Sequence, residues 1–305
     1  MSRPRILVIK LGALGDFLMA LGPMQAIRRH HPQAELVLLT RPPYRELGAA
    51  SGLFSEIWID PAPRWNPVAW VRWRSRLRRG GFDRVYDLQT SERTGGYFRL
   101  FASDRRPAWS GKVAGASHRH VYPTDHRMHS TERQRAQLAV AGIDDAALSD
   151  LSFLDGDLAA FALPERFALL IPGSSPDRPY KRWPAEHFGT LAAHLSGRGI
   201  TPVVLGGPDE GTLADAILSA EPSSLNLTGR TDLGQLAALA RRAIVAIGND
   251  TGPTHLVALA GCPTVALFSD ASDPAKTAPR GLDVRELHEP VLADLPVEQV
   301  IAVLS

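Results

Sequence analysis

Short apolar runs recur along this 305-residue chain, separated by longer stretches of helical spacing, and the series starts twice. That alternation is the pattern of strands joined through crossover helices into a parallel sheet. Arg5-Ile-Leu-Val-Ile-Lys10 reads as a first strand, followed by a glycine-containing turn and a helix around Met19 to His31. Glu35–Thr40, Glu56–Ile59 and Arg84–Leu88 read as further strands, and about 102–147 as loop-rich with some helix. The series reopens at Phe167-Ala-Leu-Leu-Ile171, with strands at Pro202–Leu205, Ala243–Ile247 and Thr264–Phe268. Helices are predicted at Pro184–Ser196, Glu210–Ala220, Leu233–Arg241 and Pro296–Leu304, the last with proline where a missing N–H does no harm. The restart after Asp155–Pro164 predicts an N-terminal domain over 1–160 and a C-terminal domain over 161–305, with the closing helix free to pack back on the first. Two such halves would face each other across a cleft, strand-end loops converging on it.

Composition excludes several classes. At 44% hydrophobic and 22% charged residues the chain is neither disordered nor fibrous, and a net charge of +2 carries little by itself. The single cysteine, Cys262, permits no internal disulfide and reads as a small buried residue in Leu259-Ala-Gly-Cys-Pro-Thr264. The apolar run at Ile6–Ile9 is too short for a signal peptide, and no run approaches the ~20 residues of a membrane-spanning helix. The expectation is a cytoplasmic protein whose contact with the inner membrane is at most peripheral.

Four strand-end segments carry the candidate chemistry. In Lys10-Leu-Gly-Ala-Leu-Gly-Asp-Phe17, Gly12 and Gly15 permit a tight turn, and Asp16 is either a helix cap or a general base. The spacing is neither the dinucleotide fingerprint nor a P-loop, so no cofactor of those kinds is implied. Ile171-Pro-Gly-Ser-Ser-Pro-Asp-Arg-Pro-Tyr-Lys-Arg-Trp-Pro184 offers Ser174, Ser175 and Lys181 to a diphosphate in a proline-stiffened loop; the bland alternative is a solvated loop. Gly248-Asn-Asp-Thr-Gly-Pro-Thr-His255 places Asp250, Thr251, Gly252 and His255 at a helix start, where N–H groups face an anion. Asp250 as a plain cap and His255 as a packing residue are the alternatives there. Glu210, beyond Gly206-Gly207, could take ribose hydroxyls or simply belong to a turn.

Arg64 to Arg79 forms a fifth segment, with a helix starting at Asn66-Pro67. Trp70, Trp73 and Leu77 share one face, Arg72, Arg76 and Arg79 another, and no acid interrupts them. Either this is a packed helix with a solvated cationic face, or it is drawn to an anionic membrane surface or a phosphorylated acceptor. Nucleic acid fits less well, since no recognised binding motif accompanies the charge. His118, His120, His126 and His129 lack any metal-ligand spacing and read as a surface loop.

The Leu11-Gly-Ala-Leu-Gly-Asp16 turn, the Pro172-Gly-Ser-Ser…Lys-Arg-Trp-Pro184 loop, Thr228-Gly-Arg and Asn249-Asp-Thr-Gly-Pro-Thr-His255 occur in the order found in lipopolysaccharide heptosyltransferases, glycosyltransferase family 9. The resemblance covers nearly the whole chain. It implies an α/β GT-B fold, two Rossmann-like domains facing across a central cleft. It also implies inverting, metal-independent transfer of a sugar from a nucleotide donor, typically ADP-heptose, to the lipopolysaccharide inner core on lipid A. By that resemblance Asp16 is the base, Ser174 or Ser175 and Lys181 hold donor phosphate, and Asp250, Thr251, Gly252 and His255 hold donor sugar and diphosphate. Glu210 becomes a ribose contact, and Gly12, Gly15, Arg72 and Arg76 lie on the acceptor or membrane side. The chain departs from the family in a longer, proline-containing Ser175–Lys181 loop and in 93–119, which matches no assignable pattern. A GT-B-like epimerase or hydrolase of nucleotide sugars, and a non-catalytic nucleotide-sugar-binding protein, are the rival readings.

Overall fold

The computed structural model describes residues 3–63, 65–122, 128–175 and 177–304. Chain contacts divide it into two compact units, 1–149 and 150–305. In the first, β1 (Arg5–Ile9), α1 (Leu14–His30), β2 (Glu35–Thr40), α2 (Arg45–Ala50), β3 (Glu56–Ile59), α3 (Pro67–Arg79), β4 (Arg84–Asp87), α4 (Glu92–Phe98), β5 (Ala108–Gly111), β6 (His118–Arg119) and α5 (Ser130–Val140) follow one another. The sheet order is β3-β2-β1-β4-β5-β6, with parallel pairing throughout. Ile6 to Ile9 are buried on both faces, which is why β1 reads as an unbroken apolar run. Trp73 and Leu77 of α3 and Tyr97 and Phe98 of α4 pack on Leu7, Ile9, Val37 and Val85.

The differences from the sequence reading have local causes. Helix α1 begins at Leu14, ahead of the predicted Met19, because its cap position is Ala13 and supplies no side-chain capping bond to read. The described residues of 102–147 hold the expected helix, α5, and two strands, β5 and β6, that the loop-rich reading does not include. Strand β5 is four residues long and β6 two, too short for a period to show.

The second unit runs β7 (Phe167–Ile171), α6 (Ala185–Gly197), β8 (Thr201–Val204), α7 (Gly211–Ala220), β9 (Leu225–Asn226), α8 (Leu233–Arg242), β10 (Val245–Asn249), α9 (Gly252–Leu259), β11 (Thr264–Phe268), α10 (Pro274–Thr277), β12 (Val284–His288) and α11 (Val297–Ala302). Its order, β12-β11-β10-β7-β8-β9, is again parallel. Counted from each unit's first strand, both sheets read 3-2-1-4-5-6, the doubly wound order whose switch point lies between strands 1 and 4. Strand β10 extends to Asn249, two residues past the predicted end, so a buried polar side chain closes the strand. The edge strand β12 escaped prediction because Arg285 and Glu286 expose its middle.

Residues 150–166 pack on the second unit: Leu151, Leu154 and Phe161 are buried, and Arg241 donates to the carbonyls of Leu151 and Leu154. The closing helix α11 packs on α6 within this unit, Val297 and Val300 joining Phe188 and Leu195 in one core. No helix among the described residues is long and apolar enough to cross a membrane.

Candidate functional site

In each unit all strands run parallel, so the loops that leave their C-terminal ends gather at one edge of each sheet. In the second unit the loop after β7 is tied to the end of β10. The Asn249 side chain, fully buried, accepts from the Trp183 backbone N–H at 3.0 Å and donates to the Pro172 carbonyl at 2.8 Å. Trp183 itself is buried and its indole N–H reaches the Leu295 carbonyl at 2.9 Å. Two anchors thus hold both ends of a loop whose middle carries Ser174 to Lys181.

From that loop Lys181 extends to Asp250, the residue after β10, with Nζ 2.7 Å from Oδ2 and both side chains about nine-tenths buried. The other carboxylate oxygen lies 3.6 Å from His255 Nε2. Burial drives the Asp250 carboxyl upward, but hydrogen bonds from His255 and Lys181 and the lysine's charge outweigh it and bring it down to about 2. The carboxylate is therefore ionised throughout the physiological range. Asp250 is not the cap of α9: that position is Thr251, whose side chain makes no capping bond, so the hydroxyl and the first N–H groups of the helix are left for another acceptor or donor. His255 Nδ1 is buried and has no hydrogen-bond partner among the described residues, an exception that asks for a ligand or water.

The remaining predicted donor residues surround this cluster. Ser174 is buried and spent on the loop itself: its Oγ donates to the Arg178 carbonyl at 3.0 Å and accepts from Arg182 Nε at 3.1 Å. Ser175 is exposed. Pro176, between them and Lys181, lies outside the described residues. Glu210 accepts the Gly207 N–H at 2.8 Å, and a Cβ on Gly173 would stand 2.0 Å from its carboxylate. That close approach joins the loops after β7 and β8.

The first unit presents a different set. Gly12 has φ +107°, and a Cβ there would fall 2.2 Å from the Tyr44 ring, which stacks in turn on Phe17. Gly15 is buried in the first turn of α1. Asp16 is one residue further on and is not the helix cap. It opens on a polar pocket of about 260 Å³ lined by Lys10, Gln89, Thr90, Tyr122, Arg133 and Gln134, among others. Lys10 is 5% exposed, and burial lowers its pKa against the pull of Asp16 and Asp87. Asp87 is fully enclosed, and burial raises it to about 6 although Thr90 and Gln89 donate backbone N–H groups to it. Sequence reading missed Asp87, Tyr122, Arg133 and Gln134. Asp87 had one signal, its place at the end of an apolar strand; the others sit in the stretch read as loop-rich with some helix, which carries no motif.

Helix α3 starts where predicted, with the Asn66 side chain accepting from Ala69 N–H. Arg76 lies over the Trp58 ring at 4.4 Å, and Arg72 is exposed. Arg64 and His126 lie outside the described residues. His129 caps α5, and among the described residues no group of His, Cys, Asp and Glu is placed to hold a metal ion. Cys262 is buried and its thiol pushed up to about 12, which makes it no nucleophile at neutral pH.

Known proteins share this architecture. The family model described as glycosyltransferase family 9 (heptosyltransferase) matches residues 70–289. Lipooligosaccharide heptosyltransferase 2 of Haemophilus influenzae is 31% identical over 106 residues, a match covering 33% of this chain and 30% of that protein. Lipopolysaccharide heptosyltransferase 2 of Salmonella typhimurium is 26% identical over 88% of this chain and 83% of its own length. The structure of the Escherichia coli ADP-heptose lipopolysaccharide heptosyltransferase II superposes with a TM-score of 0.77 at 22% identity, covering 98% of each chain. The fold class is thus GT-B, with two doubly wound α/β units.

Proposed function

The chain belongs to glycosyltransferase family 9, and from that premise we propose that it moves a heptose from ADP-heptose to a lipopolysaccharide inner-core acceptor, with inversion and without a metal ion. The buried Lys181–Asp250–His255 cluster at the start of α9 carries this reading. An arriving diphosphate meets the ammonium of Lys181, the Thr251 hydroxyl and the positive end of α9, while Asp250 and His255 Nδ1 remain available to sugar hydroxyls. Glu210, beside the Gly173 and Gly206 loops, is suited to ribose hydroxyls. These groups supply in fixed positions the charge neutralisation that a metal gives elsewhere.

In the reaction Asp16 takes the proton of the acceptor hydroxyl as its oxygen attacks the anomeric carbon. The new C–O bond forms on the face opposite the diphosphate, the bond to the phosphate oxygen breaks, and ADP leaves with the electron pair. The Asp16 side chain lines a polar pocket together with Lys10 and Arg133, where an acceptor hydroxyl could reach it. Thermal unfolding with ADP, GDP and UDP in excess chelator tests the donor half: ADP raises Tm, and Lys181→Ala abolishes the rise. No shift with any of the three would sink the proposal. Release of ADP from ADP-heptose in acceptor-free buffer, at the rate seen with acceptor, would instead point to a hydrolase or epimerase.

A further inference from the structure

The edge of the second sheet opposite its donor loops holds a cavity that the chemistry above does not use. It has a volume of about 290 Å³ and lies where β7, β10, β11 and β12 begin, with Arg166, Val245, Thr264 and Arg285 among its walls. A five-residue strand rises roughly 13 Å from first residue to last, so this cavity and the Lys181–Asp250 pair lie at opposite ends of the same strands. The floor is apolar: Leu195, Ile200 and Val265 are buried, and Ile244 beside them is 40% exposed. Three arginines, Arg166, Arg198 and Arg285, surround it against one carboxylate, Asp283. Arg285 is engaged by the protein itself, donating to the Val303 carbonyl and standing 3.9 Å from Asp283. Arg166 and Arg198 are exposed, and their guanidinium groups have no ionic or hydrogen-bonding partner among the described residues. They share one rim: a Cβ on Gly199, next to Arg198, would stand 4.0 Å from Arg166 Nη1. Like charges held at one rim repel, and an anion between them removes that cost.

We infer that this cavity is a second ligand site, which takes a small phosphate monoester with an apolar body. The arginine fork matches the oxygens of a phosphate. Three cations against one carboxylate leave two positive charges, which balance a dianion. The floor lets an apolar group leave water, a gain that inorganic phosphate cannot make. The volume is at the low end for small-molecule sites and admits about a dozen non-hydrogen atoms, too few for a nucleotide. The inference goes beyond the transferase reading and stands without it.

Isothermal titration with phenyl phosphate, inorganic phosphate and benzyl alcohol tests the site. Phenyl phosphate is expected to bind at least about tenfold more tightly than either half alone, and excess ADP should not displace it. Arg166→Gln with Arg198→Gln should weaken it by about 10- to 100-fold. Ile244→Ser should weaken it by about threefold and leave inorganic phosphate unaffected. A charge-matched control, Arg99→Gln with Arg105→Gln on exposed positions of the first unit, should change nothing. All three sets alter exposed side chains, and an unchanged Tm confirms folding. The inference is overturned by a wild-type chain that takes up no phenyl phosphate, or by inorganic phosphate or benzyl alcohol binding as tightly. Displacement by ADP, or a control that loses as much as the Arg166 and Arg198 pair, overturns it equally.

Discussion

In the first unit a lysine directly follows strand 1 and an aspartate ends strand 4: Lys10 after β1, Asp87 on β4. In the second, Lys181 comes from the loop after strand 1 and Asp250 follows strand 4. The same sheet order thus brings the same two residue types to the same switch point, as doubly wound topology favours. Their charge states differ. Lys181 and Asp250 touch at 2.7 Å, and the carboxyl lies far below its ordinary range. Asp87 is fully enclosed and its attraction to Lys10 is outweighed by burial, so it rises to about 6, while the Lys10 ammonium donates to the Leu88 carbonyl at a long 3.5 Å. Topology chooses the place; contact distance chooses the charge. The tight pair suits a fixed anion site, whereas the loose set leaves Asp16 and Arg133 facing an open pocket.

Several measurements would break or sharpen that contrast. The largest effect is expected from Asp16→Asn, which should lower kcat by about 10²–10⁴-fold while ADP still raises Tm by the wild-type amount. Loss of ADP binding in this variant would merge the two sites that the contrast keeps apart. Asp250→Ala leaves the Lys181 ammonium buried and alone and should cost about 3–5 kcal/mol in urea unfolding. An Asp250→Asn, Lys181→Met double variant should recover much of that cost while losing ADP binding.

The two aspartates should also give stability slopes of opposite sign. Asp87 is raised from 3.8 to about 6, so its contribution is complete below pH 4 and is lost, by about 3 kcal/mol, as pH rises from 4 to 6. Asp250 is lowered to about 2, so its contribution is complete above pH 4 and is lost, by about 2 kcal/mol, as pH falls from 4 to 2. Denaturant midpoints of Asp87→Asn across pH 2 to 6 should lose the first slope and keep the second. The smallest expected effect is one the units share. Ser91 of α4 and Asp232 of α8 each close a capping box with the residue three positions on. Alanine at either should cost about 1 kcal/mol in chemical unfolding. A much larger loss at one of them would mean that its helix end does more than cap.

The strands that lie at the centre of each sheet were legible in the sequence almost to the residue, because a strand buried on both faces must be apolar without interruption. Phe167–Ile171 and Thr264–Phe268 are such strands. Away from the centre the outcome is mixed: the edge strand β3 was legible as Glu56–Ile59, whereas β5 and the edge strands β6, β9 and β12 were not, being short or exposed in the middle. The same rule governs the site. Lys181, Asp250 and His255 sit in glycine- and proline-punctuated loops that stand out locally, and the chain's resemblance to its family lies in those motifs. Tyr122, Arg133 and Gln134 come to Asp16 from a helix and an approach to it that carry no motif at all.

Taken alone, then, the sequence determined the doubly wound class and singled out the strand-end turns proposed to carry the chemistry, since periodicity and turn residues act over a few positions. It left a helix cap open for both Asp16 and Asp250. Only the tertiary structure settled that, because a cap is a local hydrogen bond whereas the Lys181–Asp250 pair joins residues 69 positions apart. Which carboxyl is held ionised and which is raised depends on desolvation and on a distance of closest approach, and neither is written in the order of residues along the chain.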